Sequence, residues 1–547
     1  MIALIAAAAV SVPVYGLVKV DGHWFFRTPE GKPMWSLGPT CTDLGEAKVD
    51  PKNPGFSAMA VYGSEEKWAA AINANLKDWG FNSVGGWSNG QKLSLPYFTV
   101  LHLGAYNKAP YGDLYSKETE EYLDKAAKDQ IVPILNDPRN VGYFSDNELG
   151  WWRESLFAYY RDLAPDSAGR KAWESSIRRY YKNDFSRVQK EWTGTGESFA
   201  ELGKNMRLVP GAGGMRCVTA FQTDLTTFYY KLVHRLIRKY DPKRIVMGDR
   251  YCQFYYPNVA KSSAKFIDVA STNLGSDWNN GEVSHFFLET LHRATQKPVV
   301  ITEFYMAAME NRSGNKNSSG GFPVVQTQKE RAAAVKKYLA ELSSRPFVIG
   351  AHWFQYYDEP TFGRKDGENY NMGLVDIYGK PYDELIDVFR SFKPSKSTPR
   401  LTTIAKAPAD ALTSLRNWDK RSIVVPHGKD LAFGDLYLAK DAGHLYVGLY
   451  AMDFVDESLY ADGKIPEVDR PHLQLKLNGK SLSVRFGGKN RPVTLTGNAE
   501  VKAIDGIRHS VMLKIPASTG KLTISATLSS HGGAHRMRWP NQVHLDK

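Results

Sequence analysis

Two glutamates that each end an apolar, strand-like run are the residues of this chain best suited to act together in chemistry. Glu148 closes the segment VGYFSDNE (141–148), and Glu303 lies much later, in KPVVITEFY. Continuous apolar runs of this kind form buried parallel strands, and in α/β barrels catalytic groups sit where such strands end. Two convergent carboxyl groups are what cleavage of a glycosidic bond needs, one as proton donor and one as nucleophile or base.

Residues beside the two glutamates add contacts suited to a sugar. Asn147 can hydrogen-bond a sugar hydroxyl, and Tyr305 can orient Glu303. The run FVIGAHWFQY (347–356) presents Trp353 as a floor on which a sugar ring stacks. Because neighbouring strand residues face opposite sides, at least one of Trp353 and its neighbour belongs to an aromatic core layer. Further candidate contacts are Trp87, Arg250, His352, Gln355, Glu368 and Asn369.

Arg250 leaves two alternatives open. It follows the predicted strand RIVMGD, which places a cation near the predicted cleft. The guanidinium can meet a sulfate or carboxylate of an anionic substrate, or it can pair with Asp249. The second alternative needs no ligand.

The elements that must position these side chains are parallel strands alternating with helices. Helical patterns fall between most of the strand candidates, which is the sequence habit of a parallel α/β fold. We therefore predict a (β/α)₈ TIM barrel with insertions. The eight strand candidates are residues 34–39, 81–87, 98–104, 141–148, 244–249, 266–272, 298–304 and 347–356.

Both ends of the chain depart from this alternation. Residues 1–13 are apolar enough to be a secretory signal segment but lack its basic start, and Asp21-Gly22 predicts a hairpin over 14–30 that can plug the barrel. The barrel domain is predicted over 14–392 and a Pro/Ser/Lys linker over 393–407. Residues 408–547 read as an all-β sandwich, either a carbohydrate-binding module or a buttress for the barrel.

Composition restricts the class of protein without naming it. The 547 residues suit two domains, and ordinary hydrophobic (42%) and charged (23%) fractions fit a globular protein. The net charge of +12 fits either an anionic substrate or general surface basicity, and no dense basic tract suggests nucleic-acid binding. No segment after the first is apolar enough for a membrane span. Three widely spaced cysteines form neither a disulfide framework nor a metal-ligand pattern.

Taken together, these segments resemble the clan A retaining glycoside hydrolases, and most closely the family 50 β-agarases. The similar stretches cover about residues 20–392. They include the opening GHWFFRTPEGKPMWSLGPTCTD, the segment VGYFSDNELGWW and especially HWFQYYDEPTFGRKDGENYNMGLVDIYGKPYDEL. The resemblance implies that Glu148 is the acid/base and Glu303 the nucleophile. It also implies that Trp353 stacks on the sugar and Asn147 contacts its 2-hydroxyl group.

The resulting hypothesis is a retaining hydrolase of a β-linked galactan such as agarose or porphyran, secreted or periplasmic and without a metal or organic cofactor. One alternative keeps the mechanism on another substrate, as a β-galactosidase, another β-glycanase or an enzyme for an acidic glycan. Transglycosylation at the same site is a further alternative, and a glycan-binding protein on an inactive barrel is a rival from another class. The oligomeric state stays open.

Overall fold

The structure is a computed structural model of the chain. It describes residues 13–104, 110–252, 256–395, 404–452, 457–486, 493–504, 508–516 and 523–540. The predicted signal segment lies outside the described residues except for Pro13, and so does the middle of the predicted linker.

The helices begin at residues that suit helix starts. In α2, for example, the Ser64 hydroxyl accepts from the backbone N–H of Lys67, and two glutamates occupy the first turn. The described helices are α1 Ala58–Tyr62, α2 Glu65–Asp78, α3 Lys117–Ile131, α4 Arg153–Arg161, α5 Ala168–Tyr180, α6 Phe185–Glu191, α7 Met215–Tyr240, α8 Pro257–Ser263, α9 His285–Thr295, α10 Gln328–Ser343 and α11 Asp383–Ser391. None of them combines the length and apolar character needed to cross a bilayer.

The strands up to residue 392 are short, and those that carry the site are buried along their whole length. They are β1 Gly16–Val20, β2 His23–Arg27, β3 Pro33–Met34, β4 Ser36–Pro39, β5 Tyr97–Val100, β6 Asn140–Phe144, β7 Trp192–Thr193, β8 Arg207–Leu208, β9 Ile245–Val246, β10 Ala270–Asn273, β11 Val299–Phe304, β12 Ala307–Ala308, β13 Val324–Val325 and β14 Val348–Trp353. The mixed α/β content agrees with the predicted class.

Parallel pairing organises these strands into two sheets, in the orders β10-β11-β14-β4 and β5-β6-β9. Hydrogen bonds also join the sheets at both ends. At one end Leu37 O accepts from Ser83 N at 3.2 Å, and Val84 bridges Tyr97 in parallel. At the other end Tyr251 bridges Thr272 in parallel. The seven strands of these two sheets therefore follow one another through continuous hydrogen bonding.

One predicted strand is absent as a regular element. Residues 81–87 contribute only the bridge at Val84. The chain then passes so close to Thr40 at Gly85 and to Val100 at Gly86 that a Cβ atom at either glycine would lie 2.8 Å from a side-chain carbon. The other predicted strands each overlap an observed one.

The N-terminal hairpin forms as predicted, with β1 and β2 antiparallel around Asp21 and Gly22, both at positive φ. Trp24 N donates to Pro346 O at 2.7 Å, just before β14. Phe26 is fully buried and joins an apolar cluster of side chains from β5, β6, β9, β11 and β14. The hairpin is thus packed against the strands of both parallel sheets.

The chain from residue 404 onward is built mainly from antiparallel β-structure, although its first strand, Ala405–Lys406, lies inside the predicted linker and pairs in parallel. Its strands are β15 Ala405–Lys406, β16 Ile423–Val424, β17 Gly434–Lys440, β18 His444–Met452, β19 His472–Leu477, β20 Lys480–Arg485, β21 Thr494–Thr496, β22 Glu500–Ile504, β23 Arg508–Pro516, β24 Ile524–Ser530 and β25 His535–Trp539. One sheet has the order β15-β17-β18-β23-β22 with β16 beside β17, and the other has the order β21-β20-β19-β24-β25.

A buried carboxylate joins this β-structure to the preceding part of the chain. Asp435 on β17 accepts the first backbone N–H groups of α9, from His285 at 2.7 Å and Phe286 at 2.9 Å. Tyr437 donates its hydroxyl to the same carboxyl group at 2.9 Å. Nearby, the Tyr450 hydroxyl donates to Asp277 at 2.7 Å. The β-structure therefore caps a helix and contacts the segment that follows β10.

Candidate active site

Glu148 lies beyond the end of β6, where the chain turns sharply. Its φ of 50° is in the left-handed region, which is uncommon for a residue other than glycine. Its backbone N–H donates to Asp249 O at 3.0 Å, which holds the turn. The residue is exposed, while protein atoms crowd around its carboxyl group. The turn therefore presents a partly desolvated carboxyl group to solvent.

Asn273, at the end of β10, is the hydrogen-bond donor to this carboxyl group. Its Nδ2 donates to Glu148 Oε1 at 2.9 Å and to Asn147 Oδ1 at 3.1 Å. The Thr302 hydroxyl donates to Asn273 Oδ1 at 2.7 Å, and this bond fixes which side of the amide faces Glu148. Sequence reasoning missed Asn273, because the predicted strand FIDVAST stops one residue before it.

Glu303 lies on β11, opposite Asn273 in the parallel register. The residue is 8% exposed. Its Oε1 accepts from Arg250 Nη2 at 2.7 Å and from Trp87 Nε1 at 3.1 Å. Trp87 is half-buried and lies beside His102, with ring centroids 4.7 Å apart. Glu303 is therefore a buried carboxyl group with a cation and an indole N–H aimed at one oxygen.

The two carboxyl groups influence each other's titration. Burial is the main cause that raises the pKa of Glu303, and the charge of Glu148 raises it further against the opposing effect of Arg250. Desolvation also raises the pKa of Glu148, although Asn273 and Arg250 favour its ionised form. Such a pair takes up and releases protons jointly. The arrangement can hold one proton and one negative charge side by side.

Arg250, predicted to contact a sulfate or carboxylate of a substrate, is fully buried and directed at two other residues of the site. Its Nη1 donates to Asn147 Oδ1 at 2.9 Å, and its Nη2 serves Glu303. The alternative pairing with Asp249 is wrong. The carboxyl group of Asp249 accepts from Trp151 Nε1 and the Tyr230 hydroxyl, each at 2.9 Å. Arg250 thus links the Asn147 amide to Glu303.

Trp353 does not offer a floor for a sugar. The residue is 0% exposed. Its ring packs against Phe304 and Phe389, and its Nε1 donates to Met372 O at 2.8 Å. The prediction of a stacking platform at this position is wrong because the ring lies in the core on the helical side of β14. The neighbouring ring of Phe354 is also buried, in a small cluster that includes Tyr305.

His352 is buried on the opposite face of β14, which excludes the predicted contact with substrate. Its Nε2 lies 2.9 Å from the Ser36 hydroxyl, and its ring packs on Phe98. Burial lowers the pKa of His352 to about 3, so the imidazole is neutral. The residue is part of the polar interior beneath the candidate site.

Tyr305 and Gln355 are both largely buried near the candidate site. The Tyr305 ring packs on Phe322 with centroids 4.2 Å apart. Gln355 Nε2 donates to Glu359 Oε1 at 3.4 Å. These contacts give both residues structural partners at the base of the loop that follows β14.

A second pair of carboxyl groups lies on that loop. Burial and the adjacent carboxyl group of Glu368 raise the pKa of Glu359 to about 10, so Glu359 is protonated at neutral pH. Glu368 is close enough to raise the pKa of Glu148. The predicted rim position of Glu368 therefore brings it near Glu148. Asn369 is buried, and its Oδ1 accepts from Ser318 N at 3.4 Å.

No group of His, Cys, Asp and Glu side chains in the described part of the chain could hold a metal ion. The three cysteines form no disulfide with one another. Cys41 lies near Glu303, and burial, with a contribution from the charge of Glu303, raises the pKa of its thiol.

The chain matches two curated proteins of Vibrio sp. (strain JT0107), β-agarase B and β-agarase A, at 25% identity each. Each match covers 60% of this chain and 36% of the relative, so the chain spans about a third of their length. No family model matches the chain.

Solved structures of agarases share its fold. An exo-β-agarase superposes with a TM-score of 0.58 at 21% identity, covering 70% of this chain and 65% of that one. A second agarase gives 0.59 at 20% identity, covering 70% and 64%. The chain is therefore a distant relative of the β-agarases and has the fold of the family 50 agarase structures.

Proposed function

We propose that the protein is a glycoside hydrolase that cleaves a β-linked galactan such as agarose or porphyran. The observation that carries the proposal is the pairing of Glu148 and Glu303 around Asn273, with Arg250 on one carboxyl group only. The relationship to the Vibrio β-agarases supports the galactan as substrate class.

The proposed reaction is a double displacement that retains the anomeric configuration. In the proposed reactive form of the pair, Arg250 and Trp87 stabilise the negative charge on Glu303 and Glu148 carries the proton. Glu303 attacks the anomeric carbon while Glu148 gives its proton to the departing sugar oxygen. Glu148 then takes a proton from water, whose oxygen attacks the same carbon and releases Glu303.

Asn147 is the proposed contact to the sugar 2-hydroxyl group. Its Oδ1 already accepts from Arg250 and Asn273. These two bonds orient the amide so that its Nδ2 is available as a donor. Contacts to the 2-hydroxyl strengthen as positive charge develops on the sugar ring.

We further propose a domain architecture of a barrel, a linker and a β-sandwich. The continuous hydrogen bonding between the two parallel sheets supports a closed (β/α)₈ barrel over residues 14–392, followed by a linker over 393–407. The two antiparallel sheets support a β-sandwich over 408–547. The contacts of Asp435 with α9 favour a buttress over a carbohydrate-binding role for this sandwich.

An acidic glycan is the weaker alternative. The cation nearest the two catalytic candidates is Arg250, and it is buried and paired with Glu303. A uronic or sulfated sugar would therefore find no reachable charge from Arg250. Because a polymeric galactan does not cross membranes, we also propose that the protein acts outside the cytoplasm.

The proposal is tested by product analysis on agarose, porphyran, carrageenan, β-glucan and β-mannan. We expect oligosaccharides from agarose or porphyran, and an early product of β configuration by proton NMR. An early α product would contradict retention. Cleavage confined to β-glucan or β-mannan would contradict the galactan, and binding without cleavage on every polymer would contradict the enzyme.

Arg250→Met is expected to shift the pH profile of kcat/KM. Arg250 lowers the pKa of Glu303, so its removal raises that pKa. Since ionised Glu303 is the proposed nucleophile, the acidic limb of the profile moves to higher pH. At acidic pH we expect kcat/KM to fall about 10²-fold, because a hydrogen bond to a buried charge is lost.

Two further variants make the Arg250 result specific. Arg250→Lys keeps a cation and should shift the limb less than Arg250→Met. Arg421→Met removes an exposed arginine that pairs with Asp419, and it should leave the profile in place. Circular dichroism establishes that each variant is folded. An unshifted acidic limb in folded Arg250→Met would contradict the proposed role.

A further inference from the structure

A cavity of about 700 Å³ opens between the segment after β4 and the loop after β14. This volume is within the range of small-ligand sites. Arg364 lines the cavity and reaches the second carboxyl pair, with Nη1 3.5 Å from Glu368 and 3.8 Å from Glu359. Arg364 therefore connects the cavity to Glu368, the carboxyl group whose charge contributes to raising the pKa of Glu148.

Hydrogen bonds between the two segments hold the cavity walls in place. Asn53 Nδ2 donates to Gly363 O at 2.8 Å, and Phe362 N donates to Asn53 Oδ1 at 2.8 Å. Thr361 N also donates to Pro54 O at 3.0 Å. Because the walls are already fixed, they lose less conformational entropy when a ligand binds.

Phe362 is an exposed aromatic residue in the loop that borders this cavity. It lies between Pro360 and Gly363, which both line the cavity, and it is 66% exposed. Its backbone is held by Asn53 while its ring stays in solvent. An exposed aromatic ring on a fixed backbone is suited to stacking on the C–H face of a sugar.

The charges that line the cavity cancel. Three are acidic and three basic: Glu46, Asp50, Asp366, Lys48, Arg364 and Lys365. Arg364 is further engaged by Asp366 at 2.5 Å. The charged residues that line the cavity therefore carry no net charge. Such a surface suits the hydroxyl groups of an uncharged sugar, whereas a sulfate would meet carboxylates as well as ammonium groups.

We infer that this cavity is a distal subsite, stacked on Phe362, for an uncharged sugar of the same galactan chain whose scissile bond lies at Glu148 and Glu303. The inference rests on the proposed function. It implies that the chain's net charge of +12 does not serve to bind an anionic substrate at this cavity. It also predicts that longer oligosaccharides bind more tightly, because short ones do not extend to this subsite.

The test compares kcat/KM for neutral galactan oligosaccharides of increasing length. The quantity compared is kcat/KM for the longest oligosaccharide divided by kcat/KM for the disaccharide. In Phe362→Ala this ratio should fall about five- to tenfold. Phe362→Tyr keeps a ring and should restore the ratio. Tyr122→Ala removes another exposed aromatic residue, on α3, and is the matched control. A ratio equal to that of wild type in Phe362→Ala would overturn the inference.

A binding measurement separates this inference from the proposed function. Glu303→Gln is titrated calorimetrically with a long neutral galactan oligosaccharide and with a sulfated one, with and without Phe362→Ala. Weaker binding of the neutral chain by the double variant supports the subsite even if wild type cleaves nothing. Equal binding by both proteins, tighter binding of the sulfated chain, or no binding at all overturns it.

Discussion

Glu303→Gln lowers kcat on agarose or porphyran by about 10⁴-fold or more, the loss expected when a covalent nucleophile is removed. The amide occupies the space of the carboxylate and can still accept from Arg250 and Trp87. It cannot form the glycosyl ester. The measurement is the release of reducing ends from galactan, with mass spectrometry to detect any residual product.

A second variant ties the loss to chemistry rather than folding. In Glu303→Ala, added azide attacks the anomeric carbon from the vacated face and gives a glycosyl azide of inverted configuration. Glu384→Gln, at the exposed start of α11, is the control and should keep wild-type activity. A wild-type rate in Glu303→Gln would contradict the nucleophile assignment. So would a glycosyl azide of retained configuration from Glu303→Ala.

Glu148→Gln has an effect that depends on the leaving group. On galactan, where the departing oxygen needs a proton, kcat should fall about 10²- to 10⁴-fold. A dinitrophenyl galactoside needs no proton to depart, so its first step persists. The glycosyl-enzyme then accumulates, because no base activates water. Stopped-flow absorbance should therefore show a burst of dinitrophenolate followed by slow turnover.

The assignment of Glu148 also predicts which azide product forms. Azide attacks the accumulated glycosyl-enzyme in Glu148→Ala and gives a glycosyl azide of retained configuration, opposite to the product of Glu303→Ala. Asn273→Ala removes the amide that donates to Glu148 and Asn147 but keeps both catalytic carboxyl groups, and it should lose less activity. Equal losses on galactan and on the dinitrophenyl galactoside, without a burst, would contradict the acid/base role.

The positions of the two glutamates followed from sequence because each ends an apolar run, and parallel strands carry such ends to one edge. The orientation of side chains within the strands did not follow. His352 and Trp353 are adjacent on β14, and both are fully buried on opposite faces. A parallel strand that is buried on both sides has no polar alternation to show which residue faces which way.

Partners brought together by tertiary structure were equally hidden from sequence. Asn273 ends β10 and Arg250 lies beyond β9, and their partners on β11 are distant in the chain. Hairpin turns were easier to predict from the sequence, because local residues determine them. Asp21 and Gly22 both adopt positive φ and close the hairpin that the sequence predicts.

The Asp435 contact has a consequence for making shortened forms of this protein. Two amide groups at the start of α9 obtain their acceptor from a strand that begins well after residue 392. Truncating the protein at the linker removes that acceptor. It also exposes to solvent the surface of α9 that the β-structure covers. A minimal catalyst, or a chimera with another C-terminal module, therefore needs a replacement cap at Ser284 and a new polar surface on α9.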